Sequence, residues 1–191
     1  MNLSDGGHFE NLGLYEMVLR RCRRIVVVDA GRDTGYVFED LGNPIRKIRV
    51  DFGIPIEIVV TLLEPDKDKM HLARCAVGRI RYSKVDGAQV PDGQLIYIKP
   101  LLQKTEPVDV RNYPAAHREF PHETTNDQWF SESQLESYRM LGEHTMQDIF
   151  GHDDKNEKWE MATFFAHAEA QVAALEKAPE GNTGSAPGQQ A

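Results

Sequence analysis

The 191-residue sequence has few of the features that mark a disulfide-rich or membrane-spanning protein. Its two cysteines, Cys22 and Cys75, fit neither a disulfide framework nor a metal-binding spacing, so we expect buried, reduced thiols. No apolar run approaches the ~20 residues that cross a bilayer, and the N-terminus lacks the basic and apolar regions of a secretory signal. What remains is a chain long enough to form one globular domain with a substantial core.

Motifs for metal and phosphate chemistry are also missing. Neither G-x-x-x-x-G-K-[ST] nor G-x-G-x-x-G occurs. His117, His122 and Glu123 lie close together, and residues 152–154 form a His-Asp-Asp cluster, but neither group has H-E-x-x-H spacing. We therefore predict no metal and no cofactor, and interpret both clusters as solvated surface.

The charge of the chain is acidic and unevenly distributed. The net charge is −8, and residues 101–191 contain seven Lys and Arg against sixteen Asp and Glu. Because nucleic-acid binding needs a basic face, nucleic acid is a poor candidate partner. The basic cluster at residues 20–24 is interpreted as a helix C-terminus favoured by the helix dipole, with contact to lipid phosphates as the alternative.

The first thirty residues show a helical and then a β-branched pattern. Residues 11–22 have helical spacing, with Asn11 as a plausible N-cap. The β-branched run at residues 25–28 predicts a strand buried on both faces. The predicted helix places its apolar residues on one face: Leu12, Tyr15, Val18, Leu19 and Cys22.

The same alternation continues to residue 60. Residues 38–52 predict a second amphipathic helix, which we expect to start near Asn43 with Pro44 at its first position. Residues 56–60 then form the next strand. Helix–strand–helix–strand order predicts an α/β fold with a mostly parallel sheet.

The middle of the chain changes to a β pattern. Residues 76–82 and 93–99 alternate with period two, and the segment between them contains the turn signals Asp-Gly and Pro-Asp-Gly. We predict a β-hairpin that extends the sheet.

The distal third is predicted to be helical. Helices are expected over residues 107–117, from Ser131 or Ser133 onward, and over residues 156–177, while residues 178–191 hold no core-forming residue and should be disordered. These patterns divide the chain into an α/β part with its hairpin (1–105), a helical C-terminal extension (106–177) and a tail (178–191).

The segment Ser4-Asp5-Gly6-Gly7 is the most informative chemical pattern. An aspartate followed by two glycines, just before a helix, places a carboxylate on a tight turn, and glycine lets other backbone approach closely. On this local pattern alone, Asp5 is most simply an Asx-turn or helix-capping residue.

Together with the sequences SDGGHFENLGLYE, RIVVVDAG and FEDLGNPIRKIRVDFG, this segment resembles the patatin-like phospholipases, a family of serine lipid acyl hydrolases. Their catalytic Asp lies in an Asp-Gly-Gly or Asp-Gly-Ala motif. The resemblance is specific over residues 3–53 and continues through AVGRIRY, GQLIYIKP and FPHETTNDQWFSESQLESYRMLGEH. It implies that Asp5 is catalytic and that Gly6 and Gly7 shape its turn, whereas His8 is not required.

The nucleophile of that family is absent from this sequence. No G-x-S-x-G elbow occurs; residues 184–188 come closest, with the wrong spacing, and the Gly-rich oxyanion loop is also missing. The resemblance therefore implies the C-terminal part of a patatin-like domain, starting inside a longer gene or truncated. It further implies an acyl lipid or phospholipid substrate, a nucleophile on an upstream polypeptide, and a parent protein that is cytoplasmic or peripheral to a membrane.

In a Ser–Asp dyad the carboxylate accepts the serine proton during attack on the acyl carbonyl. A carboxylate does this only in a partly desolvated site that raises its pKa toward the working pH. Asp29, at the end of the predicted strand, either lines the same cleft or caps the next loop. Further acidic residues nearby are interpreted as solvated: Asp33, Glu39 and Asp40.

Two alternatives to the hydrolase stay open. One is a non-catalytic interaction or regulatory module derived from the same fold. The other is a nucleotide or phosphoester site at residues 29–31, since ligands collect at the carboxyl ends of strands in α/β sheets. The aromatic segment at residues 120–130 is predicted only to form a turn before a helix.

Overall fold

A four-stranded β-sheet organises the chain. The computed structural model describes residues 6–65, 72–124, 126, 128–151 and 160–177. Its strands are β1 (Arg24–Val28), β2 (Ile56–Ile58), β3 (Cys75–Ile80) and β4 (Gly93–Ile98), in the spatial order β1-β4-β3-β2. The α/β class predicted from the sequence is confirmed.

Helices flank both faces of this sheet. Their bounds are α1 (Leu14–Leu19), α2 (Glu39–Phe52), α3 (Ser83–Asp86), α4 (Val108–Asn112), α5 (Glu132–Phe150) and α6 (Met161–Lys177). Among the helices of the described ranges, none combines the length and apolar character needed to cross a membrane.

The sheet is mixed rather than mostly parallel. β1 pairs with β4 in parallel, whereas β4 with β3 and β3 with β2 are antiparallel. Two reversals leave β2 pointing the same way as β1, as the helix–strand order predicts. The predicted hairpin is confirmed as β3–β4, but it lies between β1 and β2 instead of extending an edge.

Two hydrophobic clusters hold the helices to the sheet. On one face, α1 and α2 pack on inward-facing residues of β1, β3 and β4. On the other face, α5 and α6 cover side chains of β3 and β4, among them Cys75, Ile96 and Ile98. A third cluster joins α4 to α5 through Val110 and Leu141. The helices after residue 106 thus contribute directly to the core over the sheet.

Strand β1 is buried on one face only, so the expectation of two buried faces is wrong. Ile25 and Val27 are buried, but Val26 is 36% exposed and Val28 is 64% exposed. The reason is that β1 lies at the edge of the sheet. Helix α6 packs on β3 and β4 and leaves the same face of β1 exposed.

Helix α1 begins later than predicted, and Asn11 is not its N-cap. The N-cap is Gly13, whose φ of 70° suits glycine. The Glu10 carboxylate accepts hydrogen bonds from the N–H groups of Leu12 and Leu14, the latter the first residue of the helix. Of the predicted apolar face, Leu19 is 46% exposed.

Helix α2 starts at Glu39 rather than at Asn43, with Pro44 inside it. The carboxylate of Asp33 accepts hydrogen bonds from the N–H groups of Val37 and Phe38, which fixes the chain just before the helix. Proline in the second turn then costs one backbone hydrogen bond, and its ring is buried with the inward face of the helix.

Helices α4, α5 and α6 lie within the segments that the sequence predicts to be helical. Ser131 is the N-cap of α5, accepting a hydrogen bond of 3.1 Å from Gln134 N–H. Residues 107–117 form α4 and a following 3₁₀ turn. Helix α6 begins at Met161; residues 152–159 and the predicted disordered tail, 178–191, lie outside the described residues.

The exposed edge of β1 predicts self-association. An apolar edge strand offers unpaired backbone groups to another chain, so light scattering should give a mass above that of a monomer. Val28→Lys should shift the chain toward monomer, because lysine on an edge opposes pairing. Val50→Lys, at a 75% exposed position on α2, is the control and should change nothing. A clean wild-type monomer would contradict this prediction.

Candidate functional site

Two charged residues meet where the parallel strands end. Asp29 directly follows β1 and Lys99 directly follows β4, and the register pairs Val28 with Ile98. Asp29 N–H donates to Ile98 O at 2.9 Å, which continues the ladder by one step. Because parallel strands end at the same edge of a sheet, the two side chains lie together on the face covered by α1 and α2.

The Asp29 carboxylate is the centre of a buried cluster. One oxygen, Oδ2, lies 3.0 Å from Lys99 Nζ and accepts a hydrogen bond from the Tyr97 hydroxyl. The other, Oδ1, accepts a hydrogen bond of 2.9 Å from Gly31 N–H. Lys99 Nζ also lies 3.4 Å from Gly31 O and 3.9 Å from Asp33 Oδ2. Asp29, Tyr97 and Lys99 are all at most 2% exposed.

The protonation of the Tyr97 hydroxyl indicates that the cluster around Asp29 has a structural role. Burial, and then the hydrogen bond to Asp29, raise the pKa of the Tyr97 hydroxyl well above its usual range. Tyr97 therefore stays protonated and donates, while Lys99 balances the carboxylate charge. With both oxygens of Asp29 occupied, this carboxylate anchors the loop after β1 and caps its turn, as one of the two sequence interpretations proposed.

The loop after β1 carries backbone strain. Tyr36 and Phe38 have φ values of 52° and 53°, in the left-handed region that non-glycine residues rarely adopt. Each costs of order 1–3 kcal/mol and persists only when its surroundings enforce it. Here the Asp33 carboxylate and the Asp29–Lys99 pair hold the loop at both ends.

The residues that follow Gly6 and Gly7 contact α2, which begins where this loop ends. Asn11 Nδ2 donates to Asp40 Oδ1 at 2.9 Å, and Asp40 Oδ2 is 2.6 Å from where a Cβ on Gly31 would stand. Farther along α2, Lys47 Nζ donates to Phe9 O and lies 3.9 Å from the centre of the Phe9 ring.

The structure describes some of the predicted site residues and not others. Gly6 and Gly7 form an exposed 3₁₀ turn with His8, whereas Asp5 lies outside the described residues. Asp33 and Asp40 were expected to be solvated, but both are partly buried, Asp33 hydrogen-bonded to backbone and Asp40 to the Asn11 side chain.

Sequence reasoning missed Tyr97 and Lys99. Period-two alternation could have identified them as buried polar residues. Leu95, Tyr97 and Lys99 lie on one face of β4 and its continuation, so the pattern places a lysine at an inward-facing position. Its partner lies 70 residues earlier in the chain, and only the strand pairing brings them together.

The structure describes the surroundings of His117, His122 and Cys75. His122 was interpreted as solvated but is 3% exposed, with its ring edge-on to Tyr36; His117 is exposed, 3.5 Å from Glu123. Within the described ranges, no three His, Cys, Asp or Glu side chains are arranged to hold a metal ion, and residues 152–154 lie outside those ranges.

Burial raises the pKa of the Cys75 thiol to about 12, so Cys75 is not a reactive thiolate.

Fold and site together define a mixed α/β domain with a buried Asp–Tyr–Lys cluster at the end of its parallel strand pair. Comparison with protein-family models, curated proteins and solved structures found no match. What the chain does must therefore be inferred from its own residues.

Gly31→Ala is expected to lower the free energy of unfolding by about 1–3 kcal/mol, the usual cost of overpacking. The new Cβ would lie 2.6 Å from Asp40 Oδ2 and 3.0 Å from Asp29 Oδ1, and Asp29 is held in place by Lys99. Gly42→Ala is the control, because it adds a Cβ to open space on α2 and should stabilise by about 0.5–1 kcal/mol. Urea unfolding that finds Gly31→Ala as stable as wild type would rule out this packing.

Proposed function

We propose that this chain is the Asp-bearing part of a patatin-like serine lipid acyl hydrolase. Asp5 is the base of a Ser–Asp dyad that hydrolyses phospholipid-type esters, and a separate polypeptide segment supplies the nucleophilic serine. The observation that carries the proposal is the Asp5-Gly6-Gly7 motif within residues 3–53, whose sequence resembles that family. The chain alone is then inactive.

The surroundings of the glycine turn support this proposal. The segment after Gly7 is tied to α2 through Asn11 and Asp40, and Asp40 contacts the loop at the carboxyl end of β1. That end of an α/β sheet is where ligands generally bind. The open edge of β1 also leaves room for further strands, which a nucleophile-bearing segment would add.

The proposed reaction follows from the dyad. The serine hydroxyl attacks the ester carbonyl carbon as its proton passes to the Asp5 carboxylate. Collapse of the tetrahedral intermediate expels the alcohol, which takes that proton, and leaves an acyl-serine. Water, deprotonated by Asp5, then releases the fatty acid and restores the serine.

A non-catalytic interaction module is the second candidate, and one observation favours it. Val26 and Val28 are exposed on the edge strand β1, which suits the addition of a strand from another protein. The phosphoester site at residues 29–31 is less well supported, because Gly31 N–H already donates to Asp29 and the Lys99 ammonium group is buried.

Labelling with a fluorophosphonate serine probe tests the proposal on this chain. Intact-mass analysis should show no adduct on the wild type or on Asp5→Asn, because the nucleophile is elsewhere. An adduct on the wild type that disappears in Asp5→Asn would mean that one of the chain's own serines is activated. That outcome would overturn the assignment of the nucleophile to another segment.

A further inference from the structure

A cavity lies beside the β3–β4 hairpin, at the end of the sheet opposite Asp29 and Lys99. Its volume is about 410 Å³, within the ~300–1,000 Å³ typical of ligand sites. Its walls include Arg79 of β3 and Gln94 of β4. Because a strand rises ~3.3 Å per residue, Gln94 lies roughly 16 Å along the strand from Lys99. The cavity is therefore separate from the buried cluster around Asp29.

The cavity holds a positive charge that the surrounding carboxylates do not balance. Arg79 is exposed, and Glu57 lies directly opposite it in the β2–β3 register. Glu57 nevertheless pairs with Arg81, which also pairs with Asp92 at 3.0 Å. Within the described ranges, Arg79 makes no ion pair of its own. Its guanidinium is thus open to an anion from outside the chain.

A second arginine adds positive charge on the same face of the sheet. The register pairs Gln94 with Arg24 of β1 on one side and with Arg79 of β3 on the other. Paired residues of neighbouring strands point to the same face, so these three side chains form a row. Arg24 is also exposed and, among the residues described, is in no ion pair. This end of the sheet therefore attracts anions.

The other polar groups on the cavity wall are hydrogen-bond acceptors. The Asp92 carboxylate accepts a hydrogen bond of 3.0 Å from Ser83 N–H. Hydrogen bonds from the hydroxyl and N–H of Ser83, and from Arg81, lower the pKa of Asp92 to about 2, so it is ionised at neutral pH. Each of its oxygens can accept a further hydrogen bond. Gln94 Nε2 donates to Glu169 at 2.6 Å, which leaves the Gln94 carbonyl oxygen as an acceptor.

We propose that this cavity binds a sugar phosphate. The phosphate accepts two hydrogen bonds from Arg79, because the planar guanidinium matches a pair of phosphate oxygens. The sugar hydroxyls donate to Asp92 and to the carbonyl oxygen of Gln94. An uncharged sugar would leave Arg79 unpaired, and a bare phosphate would leave both acceptors unused. The site goes beyond the proposed hydrolase, since it does not depend on Asp5 or on a nucleophile.

Calorimetric titration of this chain with glucose 6-phosphate tests the site. Saturable binding is expected, with glucose and inorganic phosphate each at least about tenfold weaker. Arg79→Met should weaken binding of glucose 6-phosphate by about ten- to hundredfold, the effect of losing a charged hydrogen-bond partner. Arg79→Lys, which keeps the charge but loses the planar fork, should have an intermediate effect. Arg49→Met, at an exposed position of α2, is the control and should bind as the wild type does.

Gln94 gives a second readout that separates the sugar from the phosphate. Gln94→Leu should weaken binding of glucose 6-phosphate about tenfold but leave binding of inorganic phosphate unchanged. Gln147→Leu is the matched control, because Gln147 is exposed on α5 and also donates to a glutamate, Glu143. Absence of saturable binding, inorganic phosphate binding as tightly as glucose 6-phosphate, or equal losses for Arg79→Met and Arg49→Met would overturn the proposal.

Discussion

Replacing Lys99 with methionine is expected to lower the free energy of unfolding by about 3–5 kcal/mol. The ammonium group is 1% exposed and lies 3.0 Å from Asp29 Oδ2, which is equally buried. Removing the cation leaves the Asp29 charge in the interior, where its partners among the described residues are the Tyr97 hydroxyl and Gly31 N–H. That loss is a large share of the ~5–15 kcal/mol that stabilise a typical domain.

A double-mutant cycle separates the buried charge from simple packing. In Asp29→Asn with Lys99→Met, both charges are gone, so stability should return to within about 1–2 kcal/mol of wild type. Urea unfolding of the four proteins measures the coupling between the two residues. If the two single effects add to the double effect within about 0.5 kcal/mol, the pair is not the anchor described here.

The second large effect is expected at Arg74, which directly precedes β3 and is 1% exposed. Its guanidinium donates to Leu101 O at 2.7 Å and pairs with Glu106 at 2.9 Å and with Asp148 on α5 at 3.0 Å. It thus ties β3 to the loop after β4 and to the helical part of the chain. Arg74→Met should cost about 3–5 kcal/mol, because it leaves Glu106 buried without a cation.

The control for Arg74 is another arginine that pairs with two carboxylates. Arg139 on α5 contacts Glu136 and Glu143, but all three side chains are about half exposed. Solvent screens such pairs, so Arg139→Met should leave the urea midpoint unchanged. Equal losses for Arg74→Met and Arg139→Met would contradict the importance of the buried site.

The Arg74 effect should depend on pH in a defined direction. Burial by itself raises the pKa of Glu106, but hydrogen bonds from the N–H groups of Gln103 and Glu106 and the charge of Arg74 outweigh it and lower the pKa from its usual value. The ionised carboxylate therefore stabilises the wild type above the unfolded-state pKa, and this is lost as pH falls through the folded-state pKa.

In Arg74→Met, burial is no longer balanced by the cation, so the pKa of Glu106 rises and proton uptake relieves the buried charge. The difference in unfolding free energy between wild type and variant should therefore narrow from about pH 7 to about pH 5. An unchanged difference across that range would show that Glu106 is not the group left unpaired.

Local signals in the sequence predict several elements correctly. Period-two alternation predicts the β3–β4 hairpin, and a serine before an apolar helical pattern predicts the start of α5 at Ser131 or Ser133, of which Ser131 is the N-cap. These features depend on neighbouring residues alone, and neighbouring residues are what a single sequence records.

Features set by distant contacts are predicted less well. Pro44 suggests a helix start, yet Asp33 fixes the chain upstream and α2 begins at Glu39. The β-branched run predicts that both faces of β1 are buried. One face is exposed, because β1 lies at the sheet edge. Insertion of the hairpin between β1 and β2 is what joins Lys99 to Asp29, and no local pattern records it.

The candidate site also combines residues that local sequence identifies with contacts that only the fold brings together. Asp29 is identifiable as a strand-end aspartate, and the role of Asp5 is implied by the resemblance of its motif. The hydrogen bond between Asn11, which follows the glycine turn, and Asp40 depends on the three-dimensional arrangement of α2. The apolar cleft lined by Ala30, Phe130 and Leu135 likewise joins residues about a hundred positions apart in the chain.

The most direct test of the dyad is ester hydrolysis by a polypeptide that joins this chain to a segment carrying the G-x-S-x-G elbow of the patatin-like phospholipases. We predict that the joined protein hydrolyses a p-nitrophenyl ester. Asp5→Asn should lower the rate by about 10²–10⁴-fold, the contribution of a general base, whereas the exposed Asp109→Asn should retain it. Hydrolysis by Asp5→Asn at the wild-type rate would contradict the central claim.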